Sequence, residues 1–186
     1  EEGTEMKRKS GSKRGFTLIE MLVVLAILGI LMAMMVPAAG VIMRRAKRSN
    51  AKGDAGVVTT VLLKYQAEYN RWPDSYKPGS ADKTDAAWVA MMGPKPGSGT
   101  VPENPKRIVF FEPGGGALAK DGQYAGAFVD PWGMPFRFRL NQEGGGTVGN
   151  PGSAAASGEV RARALAWSAG DDRDYDTWAD NVKSWE

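Results

Sequence analysis

Residues 13–40, KRGFTLIEMLVVLAILGILMAMMVPAAG, are almost wholly apolar past Arg14, yet a carboxylate stands among them at Glu20. Residues 21–36 carry no charge, and extending the run to Met43 gives twenty-three residues, enough to cross a bilayer at about 1.5 Å per helical residue. An ionisable group in hydrocarbon costs roughly 2.5–3.5 kcal/mol, so Glu20 needs a partner that a simple anchor does not supply. Basic residues flank the run on both sides, with Lys7, Arg8, Lys9, Lys13 and Arg14 before it and Arg44, Arg45, Lys47 and Arg48 after it. Counting cations therefore leaves the orientation open. A secretory signal ends at a small-residue cleavage site after a shorter apolar core. Here the chain runs on into RRAKRSNAKGDAG, which also leaves an uncleaved signal anchor open.

Outside this segment the 186-residue chain is long enough for one modest domain. Of its 24 Lys/Arg and 21 Asp/Glu, five and three lie in the first fifteen residues, leaving 19 and 18. That balance carries no electrostatic footprint for nucleic acid. Cysteine and histidine are absent, which removes disulfides, thiolate metal sites, cysteine nucleophiles and the commonest general base. An exported domain without disulfides needs another staple.

Val58, Val61, Leu62, Tyr65 and Tyr69 recur at helical spacing and define a face that must meet a core; Pro73 ends the run. Residues 82–92, DKTDAAWVAMM, read as a short helix with Asp82 and Asp85 near its start. Residues 107–112, 124–129, 135–140 and 159–167 read as short strands. In PFRFRL, Phe136, Phe138 and Leu140 alternate with Arg137 and Arg139, which predicts one buried face and one basic, solvated face. A small antiparallel sheet packed on the long helix follows. DPWG at 130–133 places Asp, Pro and Gly where a type I turn favours them, with Trp132 as a packing plug. The glycine clusters 114–116 and 144–146 lack the spacing of a phosphate loop and read as turns. A strip of Arg137, Arg139, Arg161 and Arg163 suits solvated strand faces better than a docking site for an acidic partner.

The tail WSAGDDRDYDTWADNVKSWE sets Asp172, Asp174, Asp176 and Asp180 at relative positions 1, 3, 5 and 9, a spacing suited to a loop around a hard cation. It is no EF-hand, since Thr177 and Lys183 occupy positions 6 and 12. A solvated acidic tail is the metal-free alternative.

KRGFTLIE resembles the class III signal of type IV pilins and of the pseudopilins of type II secretion: a short basic leader, Gly15 before the cut, Phe16 after it, and Glu20 at the fifth mature position. Pro37 matches a proline that such helices often carry. The resemblance implies that a membrane prepilin peptidase removes residues 1–15 and methylates Phe16. It also implies that the helix is extracted from the inner membrane by an assembly platform and stacks into a filament. Glu20 would then pair with the Phe16 amine of a neighbouring copy, an attraction strengthened by apolar surroundings; a pairing within its own chain is the alternative. The tail is similar to that of G-type pseudopilins, S-x-G-x-D, an acidic spacer, then D-x-[IV]-x-x-W, met here by Ser168, Gly170, Asp172, Asp180, Val182 and Trp185. That likeness implies a structural calcium ion held by Asp172, Asp180 and the carbonyls of Ala169 and Val182, with Asp174 and Asp176 in a spacer of variable length.

The expected architecture is α+β and pilin-like, with a leader at 1–15, a transmembrane and filament-core helix at 16–43, its extramembrane half at 44–72, and a globular domain at 73–186 ending in the calcium-type loop. The expected role is a subunit of the type II secretion pseudopilus, a non-enzyme spanning the inner membrane once with its domain in the periplasm. Expected partners are copies of itself, the peptidase, the assembly platform, minor pseudopilins and membrane lipid. A type IV pilus subunit is the near alternative. A membrane-tethered binding module or a hydrolase with a glycosidase-like carboxylate pair is the distant one.

Overall fold

The computed structural model describes residues 15–94, 102–141, 145–152 and 158–186, and within them the side chains of 35–39 fall outside the description. Residues 1–14 of the expected leader, the Pro37 ring and Gly144 therefore lie outside the described set. The chain divides into two units, one ending at Met43 and one running from Arg44 to Glu186.

Helix α1, Leu18–Tyr69, begins in the first unit. Every described side chain from Phe16 to Met34 is exposed, including Leu18 at 83% and Met34 at 69%. Among the described residues no helix is long and apolar enough to cross a membrane; the described apolar run stops at Met34, short of the roughly 20 residues a bilayer asks for.

In the second unit the expected helical stripe is buried: Val58, Leu62 and Tyr65 are fully enclosed, Val61 nearly so, and Tyr69 packs at the edge. Ala51 and Ala55 extend the stripe backward by two turns. The Tyr65 hydroxyl donates to the Glu103 carbonyl at 2.5 Å and that of Tyr69 to Asn104 Oδ1 at 2.7 Å, and burial pushes the Tyr65 phenol up to about 12. α1 ends as Asn70 turns to a φ of +54°, a left-handed conformation that asparagine tolerates, before Pro73.

The main sheet has the order β1-β2-β5-β6, all antiparallel, with β1 at Asp82–Lys83, β2 at Arg137–Leu140, β5 at Ala164–Ser168 and β6 at Val182–Lys183. A separate pair joins β3, Val148–Gly149, to β4, Glu159–Val160. Phe136, Phe138 and Leu140 are buried as the alternation requires. The opposite face is less wet than expected. Arg137 lies over the Tyr175 ring with its guanidinium carbon 4.0 Å from the centroid, and Arg139 donates to the Gly149 carbonyl at 3.1 Å. β5 is buried along its whole length, because the main core covers one face and a second cluster of Trp167, Tyr175, Trp178 and Trp185 covers the other.

Four expectations for local structure change. Residues 107–112 are no strand: the N–H groups of Phe110 and Phe111 both donate to the Met92 carbonyl, at 2.9 and 2.8 Å, so the segment closes the end of a helix. That helix is α2, Ala86–Met92, which starts later than its sequence suggests because Asp85 caps the N–H of Trp88 at 2.9 Å while Asp82 and Lys83 pair with β2. Buried Thr84 fixes this division by donating to the Phe128 carbonyl at 2.7 Å and accepting from the Phe136 N–H at 3.0 Å. Residues 124–129 contribute only single bridges, Phe128 to Leu118 and Val129 to Pro135, with Gly126 at a φ of +79° breaking the run. Residues 159–167 split between β4 and β5.

Candidate functional site

At the start of α1, Thr17 and Glu20 form a reciprocal capping box. The Thr17 N–H and hydroxyl donate to Glu20 Oε2 at 2.8 and 2.7 Å, and the Glu20 N–H donates back to Thr17 Oγ1 at 3.2 Å. Such a box satisfies N–H groups that a helix start leaves without partners. Gly15 and Phe16 precede the helix and are exposed, Phe16 at 78%. Glu20 thus has a partner in its own chain, but it is Thr17 rather than Phe16. The T-x-x-E spacing at 17–20 announces this arrangement in the sequence, and it is the signal that attention to Glu20 alone passes over.

The C-terminal loop is closed at its base by β5 and β6, which set Ser168 opposite Val182. Gly170 adopts a φ of +78°, and a Cβ there would lie 2.6 Å from Asp180 Oδ2 and 2.8 Å from the Asp180 carbonyl oxygen, so only glycine lets this strand end lie against Asp180. Asp180 Oδ2 accepts from the N–H groups of Asp171 at 2.6 Å and Asp172 at 3.1 Å. Asp172 accepts from the Asp174 N–H at 2.9 Å and from the Thr177 hydroxyl, while Asp174 accepts from the Asp176 N–H at 2.9 Å. The hydroxyl of Thr177 holds the Asp172 carboxyl below its ordinary range, as hydrogen bonds to a charged form do. A carboxylate held in that form suits ligation better than proton donation.

Asp172 and Asp180 therefore meet through the backbone of 171–172, with Asp174 and Asp176 stepping away from them along the loop. Among the described residues no three acidic side chains converge tightly enough to hold a metal ion. Ala169 is fully buried at the loop's entry. One polar atom is orphaned beside Asp180: Asn181 is 9% exposed, its amide nitrogen donates to the Tyr175 carbonyl at 3.1 Å, and its Oδ1 is buried without a donor. Sequence reasoning missed Asn181, whose only signal was its place between two expected ligands.

The DPWG turn belongs to the same construction. Its closing bond runs from the Gly133 N–H to the Asp130 carbonyl at 2.9 Å. The Asp130 carboxylate accepts from the N–H groups of Trp132 and Met134, each at 2.9 Å, and from the Ser168 hydroxyl at 2.6 Å. Burial nevertheless pushes the Asp130 carboxyl up, and burial together with the Asp130 charge pushes up that of Asp54 on α1. Trp132 is a plug, being 7% exposed, and also a tie, since its indole N–H donates to Asp171 Oδ1 at 2.7 Å. The turn thereby anchors the loop's first residues to the sheet.

Residues 10–36 match the model of the prokaryotic N-terminal methylation motif. Over 133 residues, covering 72% of this chain and 76% of the relative, the sequence is 32% identical to the type II secretion system core protein G of Pseudomonas aeruginosa. No solved structure matches the chain.

Proposed function

Because the chain belongs to the type IV pilin-like family of the type II secretion system core protein G, we infer that it is a structural subunit of a pseudopilus serving type II secretion. The relationship across 76% of the Pseudomonas protein carries this conclusion. The subunit works by assembling and not by catalysis.

The exposed apolar half of α1 anchors the precursor in the inner membrane as a single span, with the globular unit in the periplasm, and later packs in the filament core. A peptidase cuts between Gly15 and Phe16 and methylates Phe16. Glu20 then has two partners in succession. In the single chain it is held by Thr17; in the filament it meets the α-amine of a neighbour's Phe16, a group with a reference pKa of about 8 and hence cationic near neutrality. In surroundings without water the ionic partner wins, because the attraction between opposite charges grows as the dielectric falls. The assembly platform, minor pseudopilins and membrane lipid are the remaining partners of this reading.

The acidic loop suits a calcium ion. Its donor set is all oxygen, and the orphaned Asn181 Oδ1 is an acceptor enclosed without a donor. The ion supplies positive charge that draws the loop's oxygens together. Asp172 and Asp180 would hold it with the carbonyls of Ala169 and Val182; Asn181 adds an oxygen, and Asp174 and Asp176 belong to the same loop. Binding would staple a tail that has no disulfide.

The test is the intact mass of protein extracted from membranes of cells that make a prepilin peptidase. Loss of residues 1–15 with one added methyl is expected. A chain that keeps its leader in such cells overturns the reading.

A further inference from the structure

On the reading that residues 16–43 span the inner membrane, we propose that the cations opening the second unit, Arg44, Arg45, Arg48 and Lys52, bind the phosphates of anionic phospholipids in the periplasmic leaflet. They thereby hold the waiting subunit at one depth. From Arg44 to Gly53 the chain carries five cations and no carboxylate, and Asp54 is the first acid after Glu20. At 3.6 residues per turn, Arg44, Arg45, Arg48 and Lys52 fall within about 100° of arc on α1. All four are exposed, while the fifth cation, Lys47, stands half-buried to one side of them.

Several cations elsewhere in the unit find partners within the chain. Arg71 pairs with Asp74, Lys106 with Glu68 and Lys183 with Glu186, Arg137 lies over Tyr175, and Arg139 donates to the Gly149 carbonyl. None of the five cations between Arg44 and Lys52 makes an ion pair or lies over an aromatic ring among the described residues. Arg48 and Lys52 also border a cleft of about 350 Å³ that includes Asp180 and Glu186. Those carboxylates are held by other groups, Asp180 by the N–H groups of Asp171 and Asp172 and Glu186 by Lys183. The strip's anionic partner therefore lies outside the chain.

Position selects that partner. Arg44 follows Met43, the last residue of the apolar run. Arg44 to Arg48 rise about 6 Å along the helix, which matches a headgroup layer about 5–8 Å deep on each side of the hydrocarbon. Lys52 stands about 6 Å farther on, with a long stem that bends back toward the interface. Cations at this end also run against the tendency of Lys and Arg to stay on the cytosolic side. Removal of residues 1–15 takes five of them away and leaves the mature span with its basic flank in the periplasm alone, so the strip is not what orients it. Attraction to an anionic surface favours binding by about fivefold for each such cation.

The full chain and a variant carrying Arg44→Gln, Arg45→Gln and Arg48→Gln are placed in vesicles of phosphatidylcholine and phosphatidylglycerol, where traces of spin-labelled lipid report which headgroup each protein holds. The leader's cations are common to both proteins, so the difference belongs to the strip. The preference of the unmodified chain for phosphatidylglycerol should exceed the variant's by at least about fivefold, and the excess should shrink as salt rises from about 0.1 M to about 1 M. Lysine at the same three positions should keep the preference, and its loss there counts against the strip. Equal preference in the unmodified and triple-variant chains overturns the proposal; if filament assembly nevertheless needs these cations, their partner is an acidic protein surface instead. Should the triple variant not fold, Arg44→Gln, Arg45→Gln and Arg48→Gln are read singly, each expected to lose a share, and no loss in any of them is the contrary result. A chain that alkaline carbonate strips from the vesicles overturns the membrane span on which the proposal rests.

Discussion

The two stretches of α1 share one secondary structure and differ in what completes them. From Arg44 to Tyr69 one stripe is buried against the sheet and the opposite side is largely open. From Leu18 to Met34 no described side chain is covered. Since helical stability in proteins comes chiefly from packing of an apolar face, the first stretch must receive from other molecules what the second receives from its own chain. Folding and assembly are therefore separable properties, written in different parts of the same helix.

The sharpest way to break this division is Glu20→Gln. Filaments should be lost altogether while the melting temperature of the subunit stays unchanged; assembly at normal yield would remove the role given to the carboxylate. The converse change is Phe136→Ala in the main core, where the ring is fully buried. It should destabilise the subunit by about 3–5 kcal/mol in denaturant titrations, and filaments should fail only under conditions where the subunit unfolds.

Calcium probes the far end of the second unit. At a calcium concentration one hundred times its Kd, stability should rise by about 2.7 kcal/mol, read as a higher melting temperature than in chelator, and Asp180→Ala should abolish the difference. A smaller loss, about 1–2 kcal/mol, is expected for Ser168→Ala, which takes from buried Asp130 its hydroxyl donor.

The smallest effects are electrostatic and have opposite signs. Asp54 and Asp130 have carboxyls raised by burial. The folded state holds their protons more firmly than the unfolded chain, so their contribution is fully favourable only below the unfolded pKa and is lost as pH rises through the folded value. Asp54→Asn should therefore raise the melting temperature slightly at neutral pH, with the gain shrinking on acidification. Asp172 is lowered by Thr177; its contribution is present above the unfolded pKa and disappears as pH falls through the folded value. Thr177→Val should weaken that acid-side loss, and an unchanged pH profile would argue against it.

Much of this was legible in the sequence because it is periodic or local. The stripe at Val58, Leu62 and Tyr65, the alternation through Phe136, Phe138 and Leu140, and the Asp85 cap each follow from neighbours a few residues away. Residues 107–112 were misread because an extended apolar run looks alike whether its N–H groups face a strand or, as here, the last carbonyl of α2. Arg137 was expected in water because its cover, Tyr175, lies 38 positions on. The loop's carboxylates were recognisable by spacing, whereas the links from Asp130 to Ser168 and from Trp132 to Asp171 span almost forty residues and leave no local trace.

The capping box at Thr17 and Glu20 bears on how the subunit is handled. Its hydrogen bonds, and the one from the Met21 N–H to the Thr17 carbonyl, join residues downstream of the Gly15–Phe16 bond. A protease acting there trims a tail from a helix whose first turn is already tied off, and no bond of that turn has to be remade. On the proposed reading the span is prefabricated: it would lose its tag with its first turn already made, and only in the fibre would Glu20 leave Thr17 for a neighbour's amine.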